Sequence, residues 1–454
     1  MSARTESTRL FARQDARPAE LLIRGAHVLD PRAGLDEPHD VLVQDGHIAE
    51  LGSPGSLPAP DSGDVVEAGG RHLFPGFVDP HVHLRTPGQE YKETIETGTR
   101  AAAAGGFCAI IAMPNTAPVV DEAAVLGSLA EIARREACVP VGFLASITRG
   151  LAGSEMTEMA ELRDAGALGF TDDGRPVVSA GMLRKALQYQ RLAGGVIALH
   201  EEDPQLSGDG VMHEGAISAR LGLAGIPSLS ESTMVSRDAA LALYEDARVH
   251  FQHLSCVESV QALAQAKEAG ARVSGEVCPH HLTLTDEYVR TLDTRFKMNP
   301  PLRAESDRRA LVEALRSGVI DCVATDHAPH AGHEKEVPFE QAPMGTTGLE
   351  TAFAALFTEL VLAGMLELST VVERMTAGAA LYGLPVPRIA VGEAANLCLV
   401  DLDARYEVGR DGYASRSSNC CFHGRTLHGR VELTVAGGAI AHRTRVLRAA
   451  GALR

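Results

Sequence analysis

From Gly70 to about Val371 the chain repeats one pattern: a short apolar run closing on polar residues, then an amphipathic segment closing on glycine or charge. Runs that are apolar throughout and too short for a helix read as buried strands, while apolar residues at a 3.6-residue period read as helices. The strand runs end at "FVDPHVH", "FCAIIAMPN", "PVGFLASITRG", "ALGFTDDG", "GVIALHEED", "VHFQHLS", "ARVSGEVCPHHL" and "DCVATDHAPH". Helical segments such as "EAAVLGSLAEIARREA", "GMLRKALQYQRLAG", "SVQALAQAKEAG" and "ESDRRALVEALRSG" fall between them. Eight such units over roughly 300 residues predict an α/β fold, a (β/α)8 TIM-like barrel rather than an open doubly wound sheet.

Before this array "LLIRGAHVLD" and "DVLVQDGHIAEL", and after it "AANLCLVDLD" and "RVELTVAGGAIAHR", read as strands joined by turns. They predict a small β-sandwich domain built from both chain ends, residues 21–72 and 391–454, around a barrel of 73–390. Residues 1–20, with Arg4, Arg9, Arg13 and Arg17 among Glu6, Asp15 and Glu20, read as a frayed N-terminal tail. The connection from Thr285 to Arg303 is longer than a barrel needs, which marks it as a functional loop able to order over a ligand.

Composition narrows the partners. A hydrophobic content of 45% supports a globular chain, and a formal net charge of −17 argues against nucleic acid or an anionic membrane. An anionic substrate must therefore be gripped by particular residues. The eight cysteines form no CxxC pair and sit mostly in apolar runs, as reduced core thiols do, so a cytoplasmic protein is expected. No apolar run has the length of a membrane span.

Reactive residues of such barrels gather at the C-terminal strand ends. His81, His83, Asp172, Asp173, His200, His253, His280, His281 and Asp326 all fall there. An HxH pair on a strand sends both imidazoles to one face, so His81 and His83 can reach one cation, although two packed core histidines give the same pattern. With His200, His253 and the carboxylates the set becomes the kind that zinc and related divalent metals prefer. Four histidines and two carboxylates exceed a closed four-ligand site, so two metals sharing a bridge is the economical reading. "TDDG" supplies the bridge: neighbouring strand residues face opposite ways, so one of Asp172 and Asp173 should enter the mouth and the other hold the turn, and spacing does not choose. Arg85 follows two residues after the HxH, and its planar fork suits a carboxylate as well as it suits a surface ion pair. The amides of Asn115 in "MPN" and Asn299 in "KMNPPLR" suit the same ligand, or simply a turn.

Assembled in this way, the motifs "DPHVHLR", "MPNTAPV", "FTDDG", "HEED", "QHLS", "EVCPHHL", "FKMNPPLR" and "ATDHAPH" resemble, in order and approximate spacing, the class I bacterial dihydroorotases of the amidohydrolase superfamily. The resemblance covers nearly the whole length. It implies reversible cyclisation of N-carbamoyl-L-aspartate to L-dihydroorotate and water, in pyrimidine biosynthesis, at two zinc ions per chain. By resemblance His81, His83 and Asp326 would bind one zinc, His200 and His253 the other, and Asp173 rather than Asp172 would bridge. His83, Arg85, Asn115, Asn299 and His330 would hold the substrate, with Met344 and Gly345 contacting it through their backbone. A hydroxide bridging the metals would attack the ring amide carbonyl, with Asp326 as the catalytic acid and base. The family often has Glu at the position of Thr86 and an aromatic residue at Met344, so this pocket wall departs from it. A small-molecule substrate and a homodimer or larger assembly are expected, and the resemblance admits aspartate carbamoyltransferase as a protein partner.

Two other readings compete. A dihydropyrimidinase or allantoinase typically bridges with a carboxylated lysine and binds an uncharged ring, whereas "GFTDDG" has no lysine and Arg85 has a carboxylate to seek. A catalytically silent scaffold for the transferase would have lost ligands that are all present here.

Overall fold

The computed structural model describes residues 9–60, 63–444 and 447. Five strands come first: β1 (Leu21–Asp30), β2 (Leu35–Gln44), β3 (His47–Gly52), β4 (Asp64–Glu67) and β5 (His72–Pro75). Then follow β6 (Phe77–Val82), β7 (Phe107–Ala112), β8 (Val141–Ala145), β9 (Gly169–Phe170), β10 (Val196–Leu199), the short pair β11 (Met212–His213) and β12 (Gly225–Ile226), β13 (Val249–Phe251), β14 (Val273–Val277) and β15 (Cys322–Val323). The chain closes with β16 (Leu397–Glu407), β17 (Thr426–Ala436) and β18 (Ala439–Arg443).

The eight strands β6 to β10 and β13 to β15 pair in parallel in chain order, and a bridge from Val82 to His327 joins the last to the first. The (β/α)8 barrel predicted from the pattern is present. Its strands "FCAIIA", "VGFLA" and "VIAL" are buried at every position, because helices cover the outer face and side chains fill the inner one. Two of the barrel helices start on hydroxyl caps, Thr94 for Ile95–Ala104 and Ser179 for Ala180–Ala193.

The remaining strands form one mixed sheet in the order β18-β17-β16-β5-β1-β2-β3, with β4 beside β1. Its ends meet: His47 bridges Ala394, and backbone bonds link Ala19 to Gly438 (2.8 Å) and Ala395 to Gly46 (2.8 Å). Leu21, Ile23, Val41 and Ile48 from one chain end share a core with Leu397, Leu399, Leu433 and Val435 from the other.

Two boundaries differ from the sequence reading. "FPGFVDPHVH" looks like one strand, but His72–Pro75 pairs with β1 and with Leu397–Val400, and only Phe77–Val82 enters the barrel. The division at 72/73 therefore belongs at Gly76. A Cβ there would stand 2.6 Å from the Cys108 Cβ, so only glycine lets the chain cross between the two sheets. Part of the expected tail is also held in place. Residues 1–8 lie outside the described residues, but Phe11 is buried, exchanges two 2.8 Å backbone bonds with Val141 and stacks on Phe143. One apolar side chain and an isolated bridge anchor part of what reads as a polar tail. Among the described residues no helix is long and apolar enough to cross a membrane.

Candidate active site

At the C-terminal mouth of the barrel the strand ends deliver four imidazoles and two carboxylates to one place. Asp173 lies among them: its Oδ1 is 3.5 Å from His81 Nε2 and 3.6 Å from both His200 Nδ1 and His253 Nε2, and its Oδ2 is 3.5 Å from His83 Nε2. Asp326 Oδ1 is 3.0 Å from His83 Nε2 and 3.5 Å from His81 Nε2. Asp172 turns away and accepts backbone N–H bonds from Ile147 (2.8 Å) and Thr148 (3.0 Å) and one from the Thr148 hydroxyl.

Most of these separations are too long for hydrogen bonds. Two ligand atoms each about 2.1 Å from a tetrahedral ion stand about 3.4 Å apart, which is the spacing observed. His81 Nε2 is buried without a hydrogen-bond partner, and it belongs to two ligand groups, His81–His83–Asp326 and His81–Asp173–His253. The residues present therefore fit divalent metal. Burial raises the Asp173 carboxyl, but the His81 charge and the neighbouring imidazoles outweigh burial and hold it well below the usual range. Burial opposes a charge on His200, yet Asp173 and Glu202 raise its pKa to about 10. Metal binding would displace those protons.

The candidate ligands are held from behind. Glu276 accepts from His81 Nδ1 (2.7 Å), His250 Nε2 (3.0 Å) and the backbone N–H of His253 (3.2 Å). The carboxylate accepts the Nδ1 proton of His81, so that with a metal bound the Nε2 lone pair would face the ion. Asp79 joins β6 to β15, accepting from the backbone N–H groups of His81 and Thr325, 3.1 Å each, and burial raises its pKa to about 7. Three non-glycine residues here have left-handed backbones, Arg85 (φ 57°), His253 (φ 33°) and Asp326 (φ 47°), and such strain concentrates where surrounding contacts over-determine a site.

Above the cluster lies a cavity of about 250 Å³ lined by His83, Arg85, Asn115, Asp173, His200, His253, Asn299, Asp326, His330, Met344 and Gly345. Of the metal ligands and substrate contacts expected from the resemblance His81 is not on its wall, and neither are Asp172, His280 and His281 of the wider set of strand-end residues. Arg85 Nε donates to Pro329 O (3.1 Å), and no other hydrogen bond of that guanidinium is present among the described residues. Burial lowers the pKa of Arg85, while Asp326 and Asp173 oppose that shift. Asn115 is engaged on both sides, its Oδ1 with His83 Nδ1 (2.9 Å) and its Nδ2 with Asp173 (3.3 Å). Asn299 Nδ2 donates to Glu202 (2.7 Å), and His330 Nε2 donates to Met344 O (2.9 Å). A larger cavity of about 340 Å³ beside Glu350, Tyr406 and Arg430 contains none of these residues.

A family model described as "Dihydro-orotase-like" matches residues 70–260. A dihydroorotase of Pelotomaculum thermopropionicum is 45% identical over 430 residues, 94% of this chain and 100% of that protein. The chain belongs to the dihydroorotase family. A second dihydroorotase, from Anaeromyxobacter dehalogenans, is 46% identical over 425 residues, 93% of this chain and 98% of its own. Among solved structures, the L-hydantoinase (dihydropyrimidinase) of Arthrobacter aurescens superposes with a TM-score of 0.83 at 26% identity, covering 94% of this chain and 96% of that one. Dihydroorotase-family and hydantoinase chains thus share this amidohydrolase architecture.

The two positions where the resemblance leads one to expect other residues, Thr86 and Met344, differ in their setting in this dihydroorotase-family chain. Thr86 is buried with its hydroxyl unpartnered, and Met344 lines the cavity while its carbonyl receives His330. Sequence reasoning missed three supporting residues. Glu276 had a signal, a charge inside a buried strand run. Glu202 stands in the noted "HEED". Asn419 had none: its Oδ1 accepts the His330 backbone N–H (3.0 Å) and its Nδ2 donates to Ala328 O (3.0 Å) and Gly345 O (3.2 Å).

Proposed function

We propose that the protein is a zinc-dependent dihydroorotase, interconverting N-carbamoyl-L-aspartate and L-dihydroorotate plus water. The observation that carries this reading is one cavity holding both the imidazole and carboxylate cluster and an arginine with terminal nitrogens to spare. His81, His83 and Asp326 would hold one zinc, His200 and His253 the other, with Asp173 between them. Bound there, the ions would supply an activated water and polarise the amide carbonyl. Arg85 would take the substrate carboxylate in its fork, helped by Asn115 and Asn299 after they exchange their present partners. Asp326 would accept the water's proton and pass it to the departing ring nitrogen, and the reverse in cyclisation. His330, whose pKa burial and then Arg85 push down to about 3, would stay neutral beside the arginine.

The hydantoinase-like alternative is weakened by the aspartate in place of a lysine and by Arg85, which has no anion to hold on an uncharged ring. Assaying dihydroorotate, dihydrouracil and allantoin side by side, with and without chelator, tests the proposal: turnover confined to the last two, or undiminished by metal removal, would reject it. A homodimer or larger assembly, and association with aspartate carbamoyltransferase, are tested by size-exclusion chromatography with and without the transferase.

A further inference from the structure

Three chemically capable side chains directly after β14 have no part in this mechanism. Cys278, His280 and His281 are all buried, and the sulfur and one nitrogen of each ring lie within 4.8 Å of one another. His280 Nε2 and His281 Nδ1 are buried without a hydrogen-bond partner. A backbone carbonyl only accepts, so the 2.9 Å contact between His281 Nε2 and Pro300 O keeps that ring's proton on Nε2 and leaves a bare lone pair on Nδ1. Proteins orient metal-binding imidazoles in this way. Burial holds both rings neutral, His281 down to about 4 and His280 well below its usual value.

We propose that Cys278, His280 and His281 form a separate site for one thiophilic divalent cation, such as zinc or cadmium. Binding is a ligand exchange without electron transfer: the thiol proton leaves to solvent, and the sulfur and two imidazole lone pairs replace waters on the ion. The ion with its one thiolate then carries a net charge of about +1. Burial first, and then Asp326, Glu276, Asp79 and Asp173, raise the Cys278 thiol pKa, so the sulfur enters the site as a thiol that the cation must deprotonate on binding. The trio of His250, Glu276 and Cys322 offers similar atoms but fewer free lone pairs, since His250 is bonded to Glu276 (3.0 Å) and Ser274 (2.8 Å) and Glu276 also holds His81. The inference does not depend on which reaction the neighbouring cluster performs.

The test equilibrates the full chain with cadmium and removes the excess. Bound metal is then counted, the ultraviolet sulfur-to-cadmium charge-transfer band is recorded, and cadmium is located in crystals by anomalous diffraction. The expected result is an anomalous peak among Cys278, His280 and His281, together with a band that disappears in Cys278→Ser along with one cadmium equivalent but survives in Cys322→Ser. No peak at this trio, or a band that persists in Cys278→Ser, overturns the proposal. Should Cys278→Ser fail to fold, the parent protein's anomalous map decides alone.

Discussion

Replacing Arg85 with alanine separates substrate recognition from chemistry. The side chain has one nitrogen committed to Pro329 O at 3.1 Å and the rest of its fork available on the cavity wall. Truncation removes two hydrogen bonds to a carboxylate, each worth about 1.5–3 kcal/mol. The two share a single charge in a cavity that water can refill, so the loss sums to about 3 kcal/mol rather than twice the upper figure. At 1.4 kcal/mol per decade this is roughly 150-fold in kcat/KM. The carboxylate is not part of the amide that opens, so the contact acts alike on bound substrate and transition state, and the loss falls on KM while kcat changes little. Initial rates on dihydroorotate and on dihydrouracil, the same ring without the carboxylate, provide the control. On dihydrouracil the variant and its parent should agree within about twofold, there being no anion to lose. An equal loss on both rings would refute the assignment and make Arg85 a structural residue. Arg85→Lys keeps the charge without the fork and should fall between, roughly tenfold down on dihydroorotate.

Asp326→Asn should cost roughly 10²–10⁴ in turnover while substrate affinity, read by calorimetry, is largely kept. Glu276→Gln keeps the size of the group that orients His81 and approaches His253 but loses its charge; metal affinity measured by chelator competition should fall about 10- to 100-fold. Asn419→Ala releases the three backbone groups it holds, at about 1–3 kcal/mol, seen as a lower Tm and a raised KM. His213 has its pKa lowered to about 4, by burial first and then by Arg303, so the unfolded chain binds more protons between pH 4 and 6.5. Its contribution is therefore fully present above that window and lost as pH falls through it. For a ring only partly buried this is about 1–2 kcal/mol, and His213→Gln should flatten that part of the Tm profile relative to the parent.

The barrel was legible because its signals are local. Eight apolar runs, each followed by polar residues, specify strand and C-terminal end together, and the candidate ligands stand at those ends one by one. What was not legible depends on contacts between distant segments. The choice between Asp172 and Asp173 could not come from strand alternation, because β9 is only Gly169–Phe170 and both aspartates lie beyond the ladder. It is made by the amides of Ile147 and Thr148, which capture Asp172. The break at Gly76 was hidden because sheets on both sides bury the chain, so no polar residue marks the crossing. Asn419 is the clearest limit. It stands in an 18-residue connection between β16 and β17 that reads as a loop of the small sheet, yet it reaches back to hold His330 and Gly345 at the mouth. Hydrophobic period reports burial, whereas Asn419 acts by satisfying backbone donors and acceptors supplied by other loops, and that requirement exists only once those loops are in place. The connection between two strands of the small sheet thus helps to hold a cavity whose lining residues all belong to the barrel.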